Sequence, residues 1–153
     1  MTSDLTLRTA TPADYDAIAA VIDDWWGRPV RRLLPRLFLD HFHATSTIAE
    51  AGDDLAGFLI GFLSPSLPGA AYIHFVGVHP AHRRTGLARV LYERFFALAA
   101  ADGRTVVRAV TAAANERSIA FHAALGFSVS DPVPGYDGPG DVKVRFERSL
   151  GAG

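Results

Sequence analysis

The chain has 153 residues, room for one domain core and too few for two comfortable ones. An apolar share of 49% supplies that core. The 15 basic and 16 acidic side chains leave a formal charge of -1, so neither nucleic acid nor an anionic membrane gains a general electrostatic hold. There are no cysteines, which excludes disulfides, thiolate metal sites and a Cys nucleophile, and suits a reducing, cytoplasmic setting.

Asp4 and the absence of an apolar run beside it predict no secretory signal. The longest apolar run, Leu55 to Leu63, is far shorter than the ~20 residues a membrane helix needs. Leu5 to Arg8 alternates as a strand does. Thr11 and Pro12 then open a helix, with Thr11 as cap and Asp14 in the first turn, carried on by Tyr15, Ile18, Ala19 and Ile22. Gly27 and Pro29 break it. Val30 to Phe42 reads as a second helix, kinked or split at Pro35. Thr47 to Ala51 and Asp54 to Ser64 form a hairpin about Gly52–Asp53, and Tyr72 to Val78 is a central strand. Gly86 to Ala101 is the longest helical pattern, with Leu87, Val90, Leu91, Phe95, Leu98 and Ala99 as its apolar stripe. A strand over Thr105 to Thr111 and a helix over Asn115 to Leu125, closed by Gly126, come next. Strands over Phe127 to Val133 and Asp141 to Arg148 finish the chain. This order predicts one mixed α/β domain over 1–153, with helices on the faces of its sheet.

The chemistry concentrates after the central strand, in Val78-His79-Pro80-Ala81-His82-Arg83-Arg84-Thr85-Gly86-Leu87-Ala88. A helix that begins near Thr85 offers unpaired N–H groups and the positive end of its dipole to an anion. Gly86 has no Cβ to hold a phosphate off the backbone, Ala88 keeps the next turn small, and Arg83 and Arg84 add charge. The competing reading is an Arg-rich loop before a Thr-capped helix. No Gly-x-x-x-x-Gly-Lys-Ser/Thr and no Gly-x-Gly-x-x-Gly after a strand occurs, so Walker and Rossmann sites are unsupported. Six histidines without acidic pairs or His-x-x-x-His spacing make no metal site.

Arg83 to Ala88 resembles the Arg/Gln-x-x-Gly-x-Gly/Ala signature of the GCN5-related N-acetyltransferases (GNAT), and Val76-Gly77-Val78-His79-Pro80 resembles the strand that leads into it. Asn115-Glu116-Arg117-Ser118 with Phe121 to Phe127 is similar to the family's Asn-led helix that ends in Leu-Gly-Phe. Leu7 to Asp14 is also typical. The resemblance spans nearly the whole chain in the expected order. It implies the GNAT fold, a mostly antiparallel sheet in which two parallel strands, here Tyr72–Val78 and Thr105–Thr111, splay apart around acetyl-coenzyme A as co-substrate. It implies acetyl transfer to a small-molecule or peptide amine by direct attack in a ternary complex, without metal, nucleic acid or membrane, and with homodimer formation allowed.

By the same resemblance the backbone of Val76, Gly77 and Val78 pairs with the pantetheine arm, and Arg84, Thr85, Gly86, Leu87, Ala88 and Arg89 hold the pyrophosphate. Asn115 and Ser118 face the coenzyme, Asn115 also reading as a plain helix cap. The family's proton-donating Tyr is replaced here by His122, which reads either as a donor to the leaving thiolate or as a packed histidine. The strand Thr105 to Thr111 lacks the acidic base many relatives carry. Strand alternation puts Tyr72, His74, Val76 and Val78 on one face, so His74 is the candidate base, through water, with Tyr72 positioning it. Trp25, Trp26 and Arg28 are candidate acceptor contacts, the alternative being one core Trp beside solvated arginines, and Tyr136 and Asp137 sit in a loop that closes over the site. A coenzyme-binding module without catalysis is the other function these departures allow.

Overall fold

The computed structural model describes residues 5–151; Asp4 and the two ends of the expected 1–153 domain lie outside the described residues. The chain divides into two compact units. The first holds residues up to Phe62 together with Ile73–Leu98, and the second holds Leu63–Tyr72 and the residues from Ala99 on.

The first unit holds β1 (Leu5–Thr9), β2 (Thr47–Ala51), β3 (Asp54–Leu63) up to Phe62 and β4 (Ala70–Val78) from Ile73 on, and these strands follow one another in that hydrogen-bonded order. Helix α1 (Asp14–Trp26) starts later than its sequence suggests, and Thr11 is not its cap. The roles are reversed: the Asp14 carboxylate accepts the Thr11 N–H at 2.7 Å and the Thr11 hydroxyl at 3.2 Å. Asp14 also pairs with Arg8, which reaches Glu50 as well, and this guanidinium holds the Asp14 carboxyl below the ordinary carboxylate range. Pro35 splits the next helix as expected, leaving a 3-10 turn at Arg31–Leu33 and a short α2 (Leu37–Phe42).

Ile18, Ile22, Trp25, Leu34, Leu39, Ile48, Phe58 and Ile60 form the core of this unit. Each large aliphatic side chain buried there contributes roughly 1.5–3 kcal/mol. Helix α3 (Leu87–Ala101) buries Leu87, Leu91 and Phe95 as its stripe predicts, but Val90 is 45% exposed while Tyr92 and Phe96 are buried. The buried face is therefore rotated by one position toward the residues after Leu91 and Phe95.

In the second unit β4 pairs in parallel with β5 (Val106–Ala112) from Ala70↔Val106 to Tyr72↔Arg108. Strand β5 pairs antiparallel with β8 (Val142–Ser149) over seven residues, from Val106↔Ser149 to Ala112↔Lys143. The strand expected over Phe127 to Val133 is interrupted. Two short pieces, β6 (Ser128–Val129) and β7 (Val133–Pro134), both pair with β8. Between them Ser130 exchanges two hydrogen bonds with the Arg145 backbone, and Pro132 has no N–H to continue a ladder. Helix α4 (Glu116–Ala124) packs its buried His122 against Phe127 and Phe146. Among the described residues no helix is long and apolar enough to cross a membrane.

Candidate functional site

The turn between β4 and α3 is built by its own hydrogen bonds. Pro80–His82 forms one 3-10 turn, capped by His79, whose Nδ1 accepts the Ala81 N–H at 2.9 Å and so carries no proton. The Thr85 hydroxyl donates to the His82 carbonyl at 2.5 Å. Arg84 and Gly86 have φ of 65° and 86°, the left-handed region that only Gly enters without strain. Such residues aim successive N–H groups into one concavity. The N–H groups of residues 84 to 89 meet no acceptor among the described residues, and Val90 is the first to close a helical bond, to the Gly86 carbonyl at 3.1 Å. A Cβ at Gly86 would have no protein atom within 4 Å, so the space beside it is open. With the dipole of a 15-residue helix behind it, this turn suits a diphosphate.

The two arginines of the turn divide their work. Arg84 is exposed and forms no ion pair among the described residues. Arg83, expected beside it as a phosphate donor, instead donates from Nη2 to the Trp25 carbonyl. That carbonyl belongs to the last turn of α1, where helical acceptors run out.

Further expectations concern the first unit. Trp25 is 7% exposed and stacks against Phe58 with centroids 6.0 Å apart, so its indole is part of the core. Trp26 is half-buried, its ring 4.6 Å from Phe75, and Arg28 lies on the surface in a depression shared with Asp23 and Asp24. Gly77 is required by close approach: a Cβ there would sit 2.6 Å from Phe58 Cε1 and 3.1 Å from Trp26 Cζ3. His74 lies flat on Phe38, centroids 3.9 Å apart at 3°, and its Nε2 is 2.7 Å from the Leu33 carbonyl. A carbonyl only accepts, so Nε2 carries the proton and Nδ1 keeps the lone pair. Burial pushes this imidazole below its ordinary pKa, partly offset by the Leu33 bond.

In the second unit His122 is 6% exposed and stacked on Phe146 at 4.0 Å. Its Nδ1 donates to the Ser118 carbonyl at 2.7 Å, and burial again lowers the pKa. A neutral imidazole arranged this way has its proton committed to the helix backbone. Proton donation to a thiolate would need the imidazolium, which burial disfavours. Asn115 caps α4: its Oδ1 accepts the Ser118 N–H at 3.2 Å and its Nδ2 donates to the Thr111 hydroxyl at 3.3 Å.

The second unit also contains a cavity of about 500 Å³ lined by Tyr72, Arg108, Val110, Tyr136 and Arg145 among others. Burial, with smaller contributions from Tyr136 and Asp137, pushes the Tyr72 phenol up to about 12, so it stays protonated near neutrality. Tyr72 and Tyr136 were expected at a site; Arg108 and Arg145 were not. Alternation of charge along Val142 to Ser149 was the signal that could have found Arg145. Among the described residues no group of three or more His, Asp or Glu side chains is placed to hold a metal.

The model of the acetyltransferase (GNAT) family matches residues 15–127. An L-2,4-diaminobutyric acid acetyltransferase from Nocardia farcinica is 30% identical over 89 residues, 58% of this chain and 46% of that one. An L-methionine sulfoximine/L-methionine sulfone acetyltransferase from Salmonella typhimurium is 39% identical over 77 residues, 50% of this chain and 42% of that one. The matched stretches thus span less than half the length of these curated relatives. The solved structure of a GNAT-family protein from Desulfovibrio desulfuricans superposes with a TM-score of 0.85 at 19% identity, covering 97% of this chain and 100% of that one.

Proposed function

Because the chain belongs to the GNAT acetyltransferase family, we propose that it transfers an acetyl group from acetyl-coenzyme A to a small-molecule amine, as one domain, in the cytoplasm. The carrying observation is the run of unmatched N–H groups from Arg84 to Arg89, bent by the left-handed residues Arg84 and Gly86. On this reading the run takes the pyrophosphate and the backbone of Val76 to Val78 takes pantetheine. Homodimer formation is compatible with it. The curated relatives act on free amino acids, by their names, which supports a small acceptor over a peptide.

The amine lone pair attacks the thioester carbonyl carbon, the C–S bond breaks, and the amine loses a proton. His74 Nδ1 takes that proton through water, since its Nε2–H is held by Leu33. Tyr72 stays protonated well above neutral pH, so it serves as a hydrogen-bond donor and not as the base. His122, its Nδ1–H tied to Ser118, holds α4 in place, and the thiolate is protonated from solvent.

A binding module without catalysis is the second reading, favoured by one observation: both His74 and His122 already have a ring nitrogen on a carbonyl. A calorimetric titration with acetyl-coenzyme A, followed by an amine-library screen for release of free thiol, separates the two. Binding with thiol release supports transfer, and binding without it supports the module. Absence of binding overturns both.

A further inference from the structure

The cavity of the second unit is made by strand alternation. On β5, Val107 and Ala109 are buried and Arg108 and Val110 point to the other face; on β8, Val144 and Phe146 are buried and Arg145 and Glu147 point away. The register sets Arg108 opposite Glu147 and Val110 opposite Arg145, which gathers three charges on one wall. Two of them satisfy each other, Arg108 Nε lying 3.1 Å from Glu147 Oε2. The third does not. The backbone N–H of Arg145 donates to Ser130 Oγ, but its guanidinium has no acceptor among the described residues.

An uncommitted guanidinium on the wall of a small-molecule-sized cavity is a carboxylate receptor, because its planar fork matches two carboxylate oxygens. The charge on the wall points to a monoanion: two arginines less one glutamate leave one positive charge, and Glu147 repels a second negative group. Tyr72 and Tyr136 add hydroxyls and ring faces beside it. About 500 Å³ accommodates an amino acid with its side chain.

We propose that this cavity holds the acceptor by its carboxylate, through paired N–H···O bonds from Arg145, and so selects free amino acids over amines that lack the acid. This rests on the acetyl-transfer reading for what then happens to the amine.

The test pairs each standard L-amino acid with its own carboxamide as acceptor and follows thiol release for wild type, Arg145→Gln and Arg145→Lys. The acid should be preferred at least tenfold in kcat/KM, through KM. The preference should fall to parity in Arg145→Gln and be intermediate in Arg145→Lys, with acetyl-coenzyme A affinity unchanged in both. Parity in wild type, or an acid preference that survives Arg145→Gln, overturns the proposal. If no amine releases thiol, the transfer reading fails by itself, and the cavity is decided by titrating the same amino acids into the protein and following the Ser128 and Ser130 amide resonances. Shifts in wild type that vanish in Arg145→Gln keep the carboxylate site. No shift in wild type removes it.

Discussion

The turn before α3 and the cavity beside β5 and β8 present hydrogen-bond donors by opposite means. In the turn the open donors are main-chain N–H groups, and the Arg83 guanidinium donates to the Trp25 carbonyl. In the cavity the main chain of β5 and β8 is taken up by a seven-residue ladder, and those strands offer the space their side chains. The difference teaches where one added atom should matter more than a whole side chain. A main-chain site is damaged by a Cβ in the wrong place, whereas a side-chain site is damaged by truncation.

The largest effect should come where the main chain offers nothing, because no peptide group takes up a proton near neutral pH. His74→Ala is expected to lower the rate at pH 7 by about 10²-fold, the usual size of general-base assistance, and to recover toward wild type at higher pH. Acetyl-coenzyme A affinity should barely move. Superimposable pH–rate profiles for the two proteins would return the proton to bulk solvent.

Gly77→Ala comes next. Its Cβ would lie 2.6 Å from Phe58 Cε1, an overlap that should destabilise the fold by about 1–3 kcal/mol in denaturant melts. An unchanged midpoint would mean that Phe58 yields freely.

A contrast inside the turn follows. Gly86→Glu puts a side chain and a like charge at φ 86°, and acetyl-coenzyme A should bind at least tenfold more weakly, ~1.4 kcal/mol, by calorimetry. Arg84→Gly removes a charged side chain but keeps the left-handed backbone, so its loss should stay within about threefold and shrink with added salt. If Arg84→Gly were the worse of the two, side chains would govern the turn and the contrast with the cavity would collapse.

The smallest effect is on stability against pH. Both His74 and His122 have folded pKa values lowered by burial, so each stays neutral in the folded chain where the unfolded chain already binds a proton. Stability is therefore full above the unfolded value of about 6.5 and is lost as pH falls below it through the folded values. His122→Phe keeps a flat ring beside Phe146 and cannot titrate. Its melting temperature should fall less than wild type's between about pH 8 and about pH 5. Parallel declines would show that His122 contributes nothing to the pH dependence.

The turn was legible in the sequence because its requirements are local: a strand end, a glycine at a fixed place and a helix start lie within a dozen residues. The elements were legible for the same reason, down to the split at Pro35. Failures came where distant residues decide. Val90 matched the helical stripe of α3, yet packing buried Tyr92 and Phe96 instead. Thr11 looked like a cap, but Arg8 on β1 fixes the Asp14 carboxylate where it takes the Thr11 N–H for itself. The cavity needs Tyr72, Arg108, Tyr136 and Arg145 from three strands and a loop, and no spacing rule joins them. Trp25 and Trp26 are adjacent and chemically identical, and only the packing against Phe58 makes the first one core.

The bond from Arg83 to the Trp25 carbonyl also bears on how the first unit opens. The last turn of a helix is ordinarily the first to fray, because its carbonyls lack partners. Here one of those carbonyls is held by a cation from the turn that precedes α3, at the end of α1 where the helix dipole favours positive charge. Fraying of α1 and loosening of that turn are thereby one event, and the amides on both sides should exchange with solvent at a common rate. Cutting the guanidinium with Arg83→Ala would separate them, leaving the end of α1 to exchange early.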